Sequence, residues 1–378
     1  MATTVKIEVK DANPTAALQE FLRQVLERGG VQAVLAPCHL PSGGAVMPTL
    51  VAAPAQVSQA DPLSPSFPMN AARLLARLTR GDSSGTLAAV LRPCEIRAFI
   101  ELVKLNQGNM EQCLIIGLDC QGAYSNSAFR RLSQGRDPRE LTRDFLSGKI
   151  AEPLMRSCQV CEQPTPPQES DAADIHVGLF GIDLDREIPV MSRSAKGEAL
   201  LRRLEYPEME VPVARRQALD SLLEERISAR DRMFEATGEA IASLEKLGSF
   251  LSGCVNCYNC RVACPVCYCR ECVFVTDVFD HKPWQYMGWA RQKGMLRMPT
   301  DTIFYHLTRL THMRTACVGC GQCSNACPNE IPVMELFRTV ASRTQKAFDY
   351  LAGRSLQEPP PMSVFQEKEF SELTGGRD

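Results

Sequence analysis

The chain has 378 residues, more than one core usually organises, so two or three domains are expected. Its 42 basic and 44 acidic side chains leave a formal charge of -2, which gives no electrostatic footprint for nucleic acid or an anionic membrane surface. The apolar runs are too short to span a bilayer, and the start of the chain, with Glu8 and Asp11 and no apolar h-region, does not read as a signal peptide. A cytoplasmic protein, or the soluble arm of a larger complex, is the expectation. There are 17 cysteines. With an odd number and no export signal, reduced thiols serving metal are expected rather than disulfides, in an anaerobic or strongly reducing cytosol.

In chain order, Asn13-Pro14 opens a helix as cap and first-turn proline. Leu18, Phe21, Leu22, Val25 and Leu26 form its apolar stripe, and Gly29-Gly30 ends it. Residues 31–36 read as a buried strand. Residues 37–68, rich in proline, serine and glycine, read mostly as loop. Residues 86–91 form a strand, 95–106 a helix with Ile96, Phe99, Ile100 and Val103 on one face, and 113–119 an unbroken apolar strand. Strand, helix, strand at this spacing is a βαβ unit and implies a parallel sheet. Residues 176–180 suggest a further strand. From 196 the pattern turns helical: Leu223, Ile227, Phe234, Ile241 and Leu244 repeat along it, and Gly248 closes it.

The expected organisation is an α/β domain with a largely parallel sheet over 1–195, a helical linker over 196–248, a mainly α-helical domain over 249–345 and a loosely ordered tail over 346–378.

The helical domain carries the strongest motifs. Cys254, Cys257, Cys260 and Cys264-Pro265 read C-x2-C-x2-C-x3-C-P, and Cys317, Cys320, Cys323 and Cys327-Pro328 repeat that spacing. Two-residue gaps aim three thiolates at three irons of one cubane, and the fourth cysteine, past the turn, ligates the other cluster. Two [4Fe–4S] clusters follow, one on Cys254, Cys257, Cys260 and Cys327, the other on Cys317, Cys320, Cys323 and Cys264. Structural zinc also takes four thiolates, but normally from pairs of C-x2-C rather than triplets followed by C-P. Between the motifs, Ile303, Phe304, Leu307 and Leu310 recur at helical spacing, and Pro332 starts another helix through Met334, Leu336 and Phe337. This arrangement resembles the α-helical dicluster ferredoxins of succinate dehydrogenase and heterodisulfide reductase subunits. Cys267, Cys269 and Cys272 could complete a shared site, serve as alternative ligands or pack as thiols.

A second set lies upstream. Cys94 follows the strand 86–91, and Cys120 ends the strand 113–119, so a parallel sheet brings both to one edge, where α/β proteins build sites. Cys158 and Cys161 form a C-x2-C pair that supplies two more ligands, giving a third [4Fe–4S] cluster on Cys94, Cys120, Cys158 and Cys161. Cys113, at the opposite strand end, is excluded, and Cys38 reads as a packing thiol.

At these residues the chain resembles the beta-subunit family of the coenzyme F420 hydrogenases and formate dehydrogenases. Pro93-Cys94-Glu95 fits its P-C-[QE] step, residues 117–120 its G-[LI]-x-C step, and Cys158 and Cys161 are followed by Ala173-Asp174-Ile175 and Gly178 as in its C-x2-C…A-D-[IV]-x-x-G pattern. The C-P-x-C-[YF]-C-x-x-C flavour of residues 264–272 is similar to the formate dehydrogenase type. The resemblance implies an FAD beside the sheet-edge cluster that converts between electron pairs and single electrons. It associates Pro68 and Asn70 with that flavin through a family S-P-N element, here Phe67-Pro68-Met69-Asn70, and Gly178 with them. The family's N-terminal Gly-Gly segment is absent. The implied role is an oxidoreductase subunit, inactive alone, passing electrons between a catalytic formate dehydrogenase or hydrogenase subunit and a two-electron acceptor such as coenzyme F420. The alternative is a flavin-free relay serving a heterodisulfide reductase-like or bifurcating complex.

Overall fold

Seven strands pair into one sheet in the computed structural model, which describes residues 3–41, 45–81, 85–168, 173–269, 271–296 and 299–364. They are β1 (Thr4–Glu8), β2 (Ala33–His39), β3 (Val46–Val51), β4 (Leu87–Leu91), β5 (Cys113–Leu118), β6 (Ile175–Val177) and β7 (Glu187–Ser192), in the order β1-β7-β6-β5-β4-β2-β3. The core β2-β4-β5-β6 is parallel, and β7, β1 and β3 add antiparallel pairs at its flanks. Every residue of β4 and β5 is buried, as expected of central strands covered on both faces.

Three of these strands were not legible. β3 lies within the expected loop 37–68, beside a short 3-10 turn at Pro54–Gln59. β3 carries Pro48 and β7 carries Pro189, which weakens any strand reading, yet β3 is an edge strand where proline is tolerated. β1 is short and alternates, so only Val5 and Ile7 point inward.

On one face α1 (Pro14–Arg28) buries its apolar stripe, and Asn13 Oδ1 accepts the Ala16 amide proton at 3.0 Å. On the other face α2 (Ala72–Leu78) and α3 (Pro93–Lys104) cover β4 and β5. Past β5 come α4 (Asn126–Ser133), α5 (Pro138–Leu146) and α6 (Arg156–Gln159). α3 starts where Glu95 accepts from the Arg92 and Ala71 amides at 2.9 and 2.7 Å. Burying Ile96, Phe99 and Ile100 stabilises the fold by about 1.5–3 kcal/mol each relative to exposure. Its opposite face is buried too, because the C-terminal helical region packs there. Arg97 Nε donates to the Ala352 carbonyl at 2.9 Å, and Glu101 accepts from the Gly353 amide at 2.7 Å.

The expected linker divides. α7 (Ala195–Leu204) places Leu200, Leu201 and Leu204 in the core of the α/β sheet. α8 (Ala214–Ala240) and α9 (Leu244–Phe250) follow, and Gly248 lies buried inside α9 rather than closing a long helix. The apolar stripe expected there is not a core face: Ile227 and Leu244 are exposed. α8 is held instead by buried polar groups. Arg215 pairs with Asp119, which also accepts from His176 Nε2 at 2.8 Å, and Arg226 donates to the Gln121 carbonyl at 2.8 Å.

The C-terminal region comprises α10 (Asn259–Ala263), α11 (Pro283–Lys293), α12 (Thr302–Met313), α13 (Gln322–Asn325) and α14 (Val333–Ala347). One continuous core joins it to the sheet, running from Ala89 and Ile115 through α3 to Val318, Phe337 and Tyr305. The expected loose tail begins as packed structure: Tyr350 and Ala352 are buried against α3. Residues 365–378 of that tail lie outside the described residues.

Candidate metal centres

Cys254, Cys257, Cys260 and Cys327 line a single cavity of about 340 Å³. Thiols from two distant motifs therefore surround one space, in the crossed pairing expected from the spacing. Asn256 and Tyr258 take positive φ of 50° and 59°, so the loop turns sharply enough for its thiols to face one way. Cys257 is exposed, whereas Cys260 is buried.

α12 supplies this cavity's polar wall. Tyr305 Oη and His306 Nε2 lie 3.4 Å from the sulfurs of Cys260 and Cys254, and Arg309 Nη1 donates to Cys260 Sγ at 3.1 Å. The stripe read from the sequence is partly reversed here. Phe304 and Leu307 are exposed, and Tyr305, His306 and Arg309 are buried beside Leu310. Sequence reasoning missed these three residues, although their i, i+1, i+4 spacing on a helix between two cysteine motifs was a signal.

The second group is Cys264, Cys317, Cys320 and Cys323. Burial raises all four thiols, and the charge of Cys264 adds to it at Cys320 and Cys323, whereas Arg309 opposes it at Cys264 and Cys317. Gly319 and Gly321 inside this motif have φ of 71° and 79°. A Cβ on Gly321 would stand 2.1 Å from Ser157 Oγ, so glycine permits close approach between this loop and α6.

The third group lies at the carboxyl edge of the sheet. Cys94, Cys120, Cys158 and Cys161 line one cavity of about 510 Å³ together with Arg92, Arg97, Arg226 and Arg338. Burial, with the charges of Cys120 and Cys161, pushes the Cys158 thiol up to about 12. Four thiols around one space, of which burial raises Cys94, Cys120 and Cys158, ringed by arginines, fit a cluster whose irons stabilise thiolates and whose net negative charge the guanidinium groups balance. Among the described residues, no three His, Cys, Asp or Glu side chains converge as ligands of a single ion would. The thiols instead surround spaces, as ligands of separate irons do. Cys320 lines this third cavity as well.

The remaining thiols line neither of the two cysteine cavities. Cys38 and Cys113 are buried in strands. Cys267 is buried beside Cys264, and Cys269 and Cys272 are half-buried.

Asn70 and Gly178 have different immediate neighbours. Asn70 Oδ1 accepts from the Ala72 amide at 3.0 Å, and its side chain lies against Cys320. Gly178 is enclosed by Pro189 and Arg215. Space for a larger group exists elsewhere. A cleft of about 1480 Å³ opens at the same sheet edge, lined by Gln121, Arg143, Lys149, Leu179, Phe180 and Asp183 among others. A narrower space lined by Arg92, Cys120, Gln121 and Leu179 lies between this cleft and the third group, sharing lining residues with both. Arg92 Nη1 is buried there without a partner.

A mixed sheet with a parallel core, joined to a helical region with two ferredoxin motifs, defines an iron–sulfur oxidoreductase subunit. Residues 311–333 match the 4Fe-4S binding domain model. The chain is similar to F420-dependent formate dehydrogenase beta subunits. It is 25% identical over 326 residues to the F420-dependent formate dehydrogenase subunit beta of Methanocaldococcus jannaschii, covering 79% of this chain and 80% of the relative. It is 26% identical to the F420-dependent formate dehydrogenase 1 subunit beta of Methanococcus maripaludis, covering 73% and 75%. A chain of the F420-reducing [NiFe] hydrogenase complex from Methanosarcina barkeri aligns with a TM-score of 0.44 and 15% identity, covering 64% of this chain and 94% of that one. No helix among the described residues is long and apolar enough to cross a membrane.

Proposed function

We propose that the chain is the electron-transferring beta subunit of a formate dehydrogenase or hydrogenase complex, with three [4Fe–4S] clusters in line. The observation that carries this is the position of Cys320, which belongs to the second ferredoxin group and lines the cavity of the third. Cys260 and Cys264, one helical turn apart on either end of α10, likewise tie the first group to the second. Electrons would enter near exposed Cys257, pass to the second group and reach the sheet edge, or run in reverse.

The cleft beyond Cys120 suits a flavin. Arg143 and Lys149 provide cations for a pyrophosphate, and the unpartnered Arg92 Nη1 offers a donor between the cleft and the third group. A bound flavin would exchange hydride pairs with an acceptor such as coenzyme F420 and single electrons with the clusters. The protein's part is to bind it, hold it against the sheet edge and donate hydrogen bonds to it. A catalytic partner subunit supplies or takes the electrons at the other end, and the chain alone is inactive toward formate or hydrogen.

Iron, acid-labile sulfide and flavin should be quantified on the anaerobically purified protein. About twelve irons with matching sulfide, and one flavin, are expected. Full iron without flavin would leave the relay and remove the hydride chemistry, favouring service to a heterodisulfide reductase-like partner. Zinc without sulfide would overturn the whole reading.

A further inference from the structure

We propose that Arg309 is a positioning residue that sets the reduction potential of the ferredoxin pair, making those clusters easier to reduce than their ligands and burial alone would allow. The inference rests on the reading that the two ferredoxin cysteine groups bind cubanes.

Arg309 projects from α12, outside both cysteine motifs, and is 3% exposed. Its Nη1 donates to Cys260 Sγ and its Nη2 to the Cys260 carbonyl, both at 3.1 Å. The guanidinium is clamped between rings, 4.6 Å from the Phe337 centroid and 5.5 Å from that of Tyr305. Nε has no partner, and among the described residues no carboxylate forms an ion pair with this side chain. A buried cation without a counter-charge is strongly disfavoured. The thiols whose charge acts on it are Cys260, Cys264 and Cys323. Cys260 belongs to the first group, and Cys264 and Cys323 to the second. One fixed positive charge, held on Cys260, therefore also acts on thiols of the second group.

Each cubane gains one negative charge when it accepts an electron. A permanent cation at a buried site stabilises that reduced form, and an N–H···S bond acts in the same direction. Arginine suits the task because it cannot give up its proton and its fork is rigid. Gluing the 254–264 loop to α12 would be a merely structural role, and such a role would leave the potentials unchanged.

The test is a potentiometric titration of the full, cluster-loaded chain followed by electron paramagnetic resonance, with iron and sulfide counted first. In Arg309→Gln, one or both ferredoxin steps should move to more negative potential while the sheet-edge step stays in place. Arg309→Lys, which keeps the charge but loses the fork, should shift them less. Unshifted steps in Arg309→Gln at full iron would overturn the proposal, and loss of iron from both variants would make Arg309 a folding residue and overturn it too. Wild-type protein without sulfide would instead sink the cluster reading itself.

Discussion

Cys320 of the second ferredoxin motif and Cys94 at the end of β4 line the same cavity. The charge of Cys320 is the largest influence on the Cys94 thiol after burial. The helical region is therefore seated on the carboxyl edge of the sheet, with its second cysteine group against the third. Gln322 and Asn325 fasten this contact by donating to the Phe67 carbonyl at 2.9 and 3.2 Å.

Cys94→Ala should remove about four irons and spare the ferredoxin pair, because Cys94 lines only the sheet-edge cavity. Iron and sulfide analysis reads this directly. Unchanged iron would refute the sheet-edge assignment.

The crossed pairing predicts a non-additive double variant. Cys254 and Cys327 share a cavity, so Cys254→Ala with Cys327→Ala should cost the same single cluster as either change alone. Cys254→Ala with Cys323→Ala should cost two. Equal losses in the two double variants would contradict the pairing.

Glu101→Ala should destabilise the contact between α3 and the C-terminal segment by about 3–5 kcal/mol, the usual cost of removing one partner from a buried charged network. Glu101 accepts from Gly353 N at 2.7 Å and from Lys104 Nζ at 3.2 Å, and Tyr350 Oη also donates to it. Hydrogen exchange around residues 349–354 should accelerate in the variant. Wild-type protection there would show that the network contributes little.

Cys38 and Cys113 should resist iodoacetamide in the folded protein at pH 8. Burial raises Cys38 to about 11 and Cys113 to about 12, so both remain thiols well above neutral pH, and the thiolate is the nucleophile. The sign follows from a raised value: labelling should begin only as the pH approaches those values or the chain unfolds. Mass spectrometry after a short pulse checks it, and rapid modification at pH 8 would show that the strands are not closed over them.

Much of the site was legible because its signals are local. The C-x2-C-x2-C-x3-C-P spacing fixes which thiols can share a cubane, and β4 and β5 announce themselves as short apolar runs whose ends carry Cys94 and Cys120. The strands β1, β3 and β7 escaped because β1 is short and β3 and β7 carry proline, which weakens a strand reading. α8 misled because its anchors, Arg215 and Arg226, look like surface residues until Asp119 and the Gln121 carbonyl are seen to meet them.

By itself the sequence determined the cysteine groups, the parallel core and the family resemblance, since each depends on spacing along the chain. Tertiary structure alone decided that α3 is buried on both faces, that Cys320 and Cys94 line one cavity and that Arg309 is buried against Cys260. It also gave Asn70 and Gly178 different neighbours. These are contacts between segments far apart in the chain, and they are fixed by which surfaces exclude water together, a property that no local pattern encodes.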